Sequence, residues 1–135
     1  MKASARRVVV SGNGSLQHDV EIRGHRLTTD ETKDHGGRNE GPNPQELLAA
    51  SLASCTASTI ELYAMRKDWE VGEVRVDVDY EPAQRGSLTR FNMVVHLPKE
   101  LPDDQRERLL QVAARCPVHR TLEGEVAFEE RVELS

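Results

Sequence analysis

Between Glu46 and Glu61 no residue is charged, and most side chains in that span are Ala, Ser, Leu or Thr. A surface helix keeps charge or other strongly polar groups on its outer face. A helix made of this stretch is therefore expected to be buried nearly all round, with small side chains that let another helix approach closely. The start of that helix is legible. Asn43 suits the N-cap, Pro44 the first helical position, and Glu46 the third, from which its carboxylate can reach back to a free backbone N–H. The helix is expected to run to about Lys67, with Leu48, Leu52, Cys55, Thr59 and Leu62 on one apolar face.

The segments on either side fit an α+β chain of one domain, residues 1–135. Before the helix come short β-type runs through Val8–Val10 and Leu16–Ile22, broken by Gly12-Asn13-Gly14, then a polar loop from Asp30 to Asn43 with Gly36, Gly37, Gly41 and Pro42. After it, Val74, Val76, Val78 and Tyr80 alternate with polar residues, and a return strand aligns Phe91, Met93, Val95 and Leu97. Asp103 or Asp104 opens a second helix whose inner side is Leu109, Leu110, Val112 and Ala113. Cys116 then stands as an N-cap before Pro117, opening a short third helix that Gly124 stops. A last strand is expected from the alternation of Val126, Phe128, Val132 and Leu134.

Composition excludes some functions. With 18 Lys+Arg against 23 Asp+Glu the net charge is -5, which argues against a nucleic-acid partner. No apolar run approaches the roughly 18 residues of a membrane span, and the first residues lack the apolar middle of a secretory leader, so a cytoplasmic protein with no membrane partner is expected. Apolar residues make up only 37%, lean enough that some apolar surface is expected to be covered by another subunit. His119 lies three residues after Cys116, half of a zinc pattern. A structural zinc site needs four ligands and no second such pair exists, so no metal or cofactor is expected.

Cys55 and Cys116 are too few for a disulfide scaffold. Read structurally, they are small buried hydrophobes; read chemically, they are a redox pair. Cys55 is too far from the first turn for the helix dipole to ionise it, so a reactive Cys55 needs a cation from elsewhere, and Arg is suited because it stays charged when desolvated. The Cys116 sulfur, just before Pro117, is expected beside free N–H groups of the next helix.

The run Gly41-Pro42-Asn43-Pro44-Gln45-Glu46-Leu47-Leu48-Ala49-Ala50, with Cys55 nine residues after Glu46 and Cys116-Pro117-Val118 ahead of the terminal strand, resembles the OsmC/Ohr family of osmotically inducible and organic hydroperoxide resistance proteins. The stretch from His35-Gly36-Gly37 to Pro44 is similar to a less characterised branch of it. The resemblance implies an intertwined α+β homodimer, with antiparallel sheets around two long central helices. It also implies a cysteine-based peroxidase acting on organic hydroperoxides, in which Cys55 is peroxidatic, Cys116 resolving, and Glu46 orients an active-site arginine. Arg38 is the candidate arginine, with Arg23 and Arg26 as alternatives. An external dithiol, such as a lipoylated protein, would be the reductant. Nine residues of helix turn Glu46 about 900° from Cys55 and carry it ~13.5 Å along the axis, so Glu46 and its arginine are expected to serve the cysteine of the other subunit. The alternative is a protein of the same fold that binds a small apolar ligand or handles thiols, with little peroxidase activity; Leu52, Tyr63, Met65, Trp69 and Phe91 are the candidate pocket walls.

Overall fold

The computed structural model describes residues 6–134; Met1–Ala5, where the stretch read for a leader begins, and Ser135 lie outside them. The chain divides into two compact units, one up to Leu48 and one from Ala49 onward.

The first unit is an antiparallel meander of β1 (Val9–Gly12), β2 (His18–Ile22) and β3 (His25–Thr29), in the order β1-β2-β3. Val20 pairs with Val10 on one side and Leu27 on the other. Arg23 and Gly24 make the tight β2–β3 turn, both with positive φ (50° and 83°), the backbone that a two-residue hairpin requires. The polar loop that follows contains one 3-10 turn, Lys33–His35.

Helix α1, Pro44–Arg66, begins in the first unit and continues through the second. It starts as expected. The Asn43 N–H donates to Glu46 Oε1 and the Glu46 N–H to Asn43 Oδ1, both at 2.8 Å, a reciprocal cap that satisfies two donors the helix leaves open. Its burial differs from the expectation. The residues buried in this chain are Leu52, Thr56, Ile60 and Ala64, one stripe at a spacing of four, while Leu62 is 53% and Met65 70% exposed. By length and composition alone α1 could cross a membrane; core helices share that profile, and here Ile60 and Ala64 pack into the core of the second unit.

That core joins Ile60 and Ala64 to Val71, Leu101, Leu109 and Ala113. Strands β4 (Arg75–Glu81) and β5 (Arg90–His96) form an antiparallel hairpin in which Val76 faces Val95, Val78 faces Met93 and Tyr80 faces Phe91, as the alternation implied. Helix α2 (Asp103–Ala113) buries Leu109, Val112 and Ala113, but Leu110 faces outward. Helix α3 (Pro117–Glu123) starts at Cys116 and is followed by Gly124. The terminal strand is not formed: residues 125–134 carry no regular secondary structure, with Phe128, Val132 and Leu134 81–97% exposed. Alternation marks a segment that fits a sheet edge, but a strand needs a ladder of partner hydrogen bonds, and among the described residues none pairs with this segment.

Candidate active site

The second unit brings together the two cysteines, 61 positions apart in sequence. Cys55 lies midway along α1 and is half-buried, whereas Cys116, the N-cap of α3, is fully buried. Both thiols are free, and the Cys116 sulfur accepts a hydrogen bond from the Cys55 thiol. Pro117 has no N–H. The next two residues of α3 each supply one to a different sulfur: His119 N–H donates to Cys116 Sγ at 3.4 Å, and Val118 N–H to the Cys55 sulfur. The Thr59 hydroxyl, one turn along α1, donates to the Cys55 carbonyl at 2.8 Å and lies near enough to the Cys55 side chain to influence it.

Electrostatically this pair is unfinished within the second unit. Burial pushes the Cys55 thiol above its usual pKa and the Cys116 thiol pushes it further, while the Val118 N–H and the Thr59 hydroxyl pull the other way without prevailing. None of these influences is a cation. A thiol in that state is protonated at neutral pH and a weak nucleophile. What the arrangement has is a partner thiol in place and two backbone donors aimed at sulfur; what it needs is positive charge.

The other residues named from sequence lie in the first unit. Glu46 is engaged by its carboxylate in the cap of α1. Arg38 sits in the polar loop with its guanidinium exposed and 3.8 Å from Glu40; its backbone N–H donates to the Asp30 carboxylate at 3.3 Å. Of the alternatives, Arg23 occupies the hairpin turn and Arg26 pairs with Glu21 at 3.5 Å on the sheet surface. Among the described residues no group of three His, Cys, Asp or Glu side chains could hold a metal; His119 pairs instead with Glu123 at 2.5 Å.

The candidate pocket walls differ in exposure: in this chain Leu52 is buried and Met65 exposed. Tyr63 and Trp69 meet edge to face at 5.7 Å and pack against the core, and the Tyr63 hydroxyl accepts from Arg108 Nε at 2.9 Å. Val118 was missed by sequence reasoning. The Cys-Pro start of α3 announces free N–H groups, but which sulfur each one meets is decided by packing of α3 on α1.

Three kinds of relative share this arrangement of elements or sequence. A family model described as OsmC-like protein matches residues 36–131. An uncharacterized protein of Haloferax volcanii is 29% identical over 94 residues, covering 68% of this chain and 71% of that one. Among solved structures, an OsmC-like protein of Mycoplasma pneumoniae has a TM-score of 0.76 at 20% identity, covering 91% of this chain and 90% of that chain. An organic hydroperoxide resistance protein OsmC of Legionella pneumophila has a TM-score of 0.67 at 21% identity, covering 92% and 93%. The organic hydroperoxide resistance protein OhrB of Bacillus subtilis has a TM-score of 0.63 at 21% identity, covering 90% and 92%. The structural likenesses show a common fold, and the family match, which spans most of the chain and both cysteines, shows that this chain belongs to the OsmC-like protein family.

Proposed function

We propose that the protein is a homodimeric, cytoplasmic, thiol-dependent peroxidase that reduces organic hydroperoxides. The observation that carries the reading is the contact between the Cys55 and Cys116 thiols beside two backbone donors. The names of the Legionella and Bacillus structures, both organic hydroperoxide resistance proteins, support it. In this reading the chain is one domain whose site is completed by a second copy. Arg38 of one subunit, oriented by Glu46, supplies the charge that ionises Cys55 of the other.

The Cys55 thiolate attacks the outer oxygen of the hydroperoxide and the O–O bond breaks. The departing alkoxide takes up a proton and leaves as an alcohol, and Cys55 becomes a sulfenic acid. The Cys116 sulfur then attacks the sulfenic sulfur; hydroxide leaves as water once protonated, and a disulfide forms. An external dithiol returns two electrons and two protons by exchange and is itself converted to a disulfide. Val118 N–H and His119 N–H hold charge on sulfur whenever either thiolate is exposed by these steps.

The raised pKa of Cys55 within its own unit favours a second reading, in which turnover is slow and the fold binds an apolar ligand or handles thiols. One experiment separates the two. Reduced protein is treated with one equivalent of cumene hydroperoxide, and its intact mass and free thiols are followed. The peroxidase loses two hydrogens and both thiols rapidly, and Cys55→Ser does not respond. Slow oxidation by every peroxide tried sinks the first reading and leaves the second.

A further inference from the structure

Asp30 is the one carboxylate that the chain buries, at 2% exposed, among the described residues. No step above uses it. It stands at the end of β3, where the polar loop leaves, and the loop folds back around it. Its Oδ1 accepts from Glu31 N–H at 2.8 Å, and its Oδ2 accepts from Arg38 N–H at 3.3 Å and from Glu40 N–H at 3.2 Å. Its own N–H donates to the Pro42 carbonyl at 3.1 Å, closing the loop, and Asn39 N–H donates to the Glu31 carbonyl at 3.0 Å. Two glycines allow this closeness. A Cβ on Gly37 would lie 2.0 Å from the Glu31 carbonyl oxygen, and one on Gly41 would lie 2.3 Å from that of Thr28.

The chemistry of the arrangement is specific. An ionised carboxylate is buried only where hydrogen bonds replace its water, and here all three come from backbone N–H groups of the loop. Burial pushes the Asp30 carboxyl up, but the N–H groups of Glu40, Glu31 and Arg38 and the Arg38 charge together hold it below the usual range. The loop is thus pinned at the backbone of Arg38 and two residues on, while the Arg38 guanidinium stays exposed and only loosely paired with Glu40. A rigid root with a free tip is what a side chain needs if it is to reach a site outside its own unit with little entropy to lose.

We propose that Asp30 is a positioning residue for Arg38, fixing through the loop backbone the arginine that ionises Cys55. This rests on the reading of Arg38 given above. The test compares Asp30→Asn, Arg38→Ala and the double variant, each in a Cys116→Ser background so that a single thiol is read. Two quantities are measured: amide exchange at residues 38 and 40, and the Cys55 pKa from the pH profile of thiolate ultraviolet absorbance. Asp30→Asn is expected to speed exchange at both amides and to raise the Cys55 pKa by about one unit, a tenfold loss of thiolate below it. Arg38→Ala is expected to raise the thiol pKa with the loop still protected at Glu40, and the double variant to be no worse than Arg38→Ala. If Asp30→Asn does not fold, Gly37→Ala disturbs the same loop with the carboxylate kept and should shift the thiol in the same direction. A Cys55 pKa that responds to Arg38→Ala but not to Asp30→Asn or Gly37→Ala overturns the inference alone, as does an additive double variant. A pKa that ignores Arg38→Ala overturns the reading of Arg38 and the inference with it.

Discussion

Val118 enters the site by its N–H, so no side-chain substitution there tests its part cleanly. Exchanging its amide for an ester removes the donor to the Cys55 sulfur and leaves the side chain in place. Loss of one charge-assisted hydrogen bond is expected to raise the Cys55 pKa by up to about one unit, read from the pH dependence of alkylation. Cys116→Ser keeps a hydrogen-bond acceptor beside Cys55 but removes the second sulfur. With hydroperoxide it should stop at the sulfenic acid and then gain further oxygen, which the intact mass records as successive additions. In Arg38→Ala, Cys55 keeps only the influences of its own unit, burial first, and its thiol lies above the ordinary value. Such a thiol favours the folded state fully below its unfolded pKa and loses that contribution as pH rises through the folded one. The thermal midpoint of Arg38→Ala should therefore fall relative to Arg38→Ala/Cys55→Ser on the alkaline side, and a constant difference would refute it.

At the level of elements, α1 carries two roles at its first turn that one substitution can separate. Glu46→Gln preserves the capping geometry, since Gln also serves at that position, and removes the charge. Stability to denaturant should stay within a few tenths of a kcal/mol, whereas Asn43→Ala should cost about 0.5–2 kcal/mol. If Glu46 orients the arginine, Glu46→Gln slows Cys55 oxidation while leaving the midpoint in place; an unchanged rate assigns Glu46 to the cap alone. This cap was legible in the sequence because its chemistry is local: Asn43, Pro44 and Glu46 specify it without reference to the rest of the fold. The start of α3 was legible for the same reason, from Cys116 and Pro117. The buried stripe of α1 was not, because a helix with no charge on any face from Leu47 to Ile60 does not say which side meets its own chain. The spacing alone places Leu62 and Leu110 on inner faces, whereas both are exposed in this chain. A redox pair is one of two readings that the number of cysteines allows; the choice between them and the roles of Cys55 and Cys116 come only from the resemblance, since nothing in a separation of 61 positions brings two sulfurs together.

Across the whole molecule, apolar surface is left where a single chain cannot cover it: Leu62 and Met65 along α1, and Phe128, Val132 and Leu134 after α3. With 37% apolar residues the chain has few to spare, and a second copy is the expected cover. Analytical ultracentrifugation should give a dimer for the intact protein, and Phe128→Lys together with Val132→Lys should shift it toward monomer and lower the rate of Cys55 oxidation in parallel. A variant that is monomeric yet oxidises at the full rate would remove the shared site. The unequal depth of the two sulfurs gives the redox reading a direction. Once they are bridged, only the half-buried Cys55 offers a sulfur to an incoming thiolate, so exchange begins there and Cys116 departs as the leaving group into the N–H of His119. Electrons enter through the outer atom, the inner one is released first, and Cys55 is freed when the second thiol of the reductant displaces it from the mixed disulfide, which makes the bridge a valve that opens from one side.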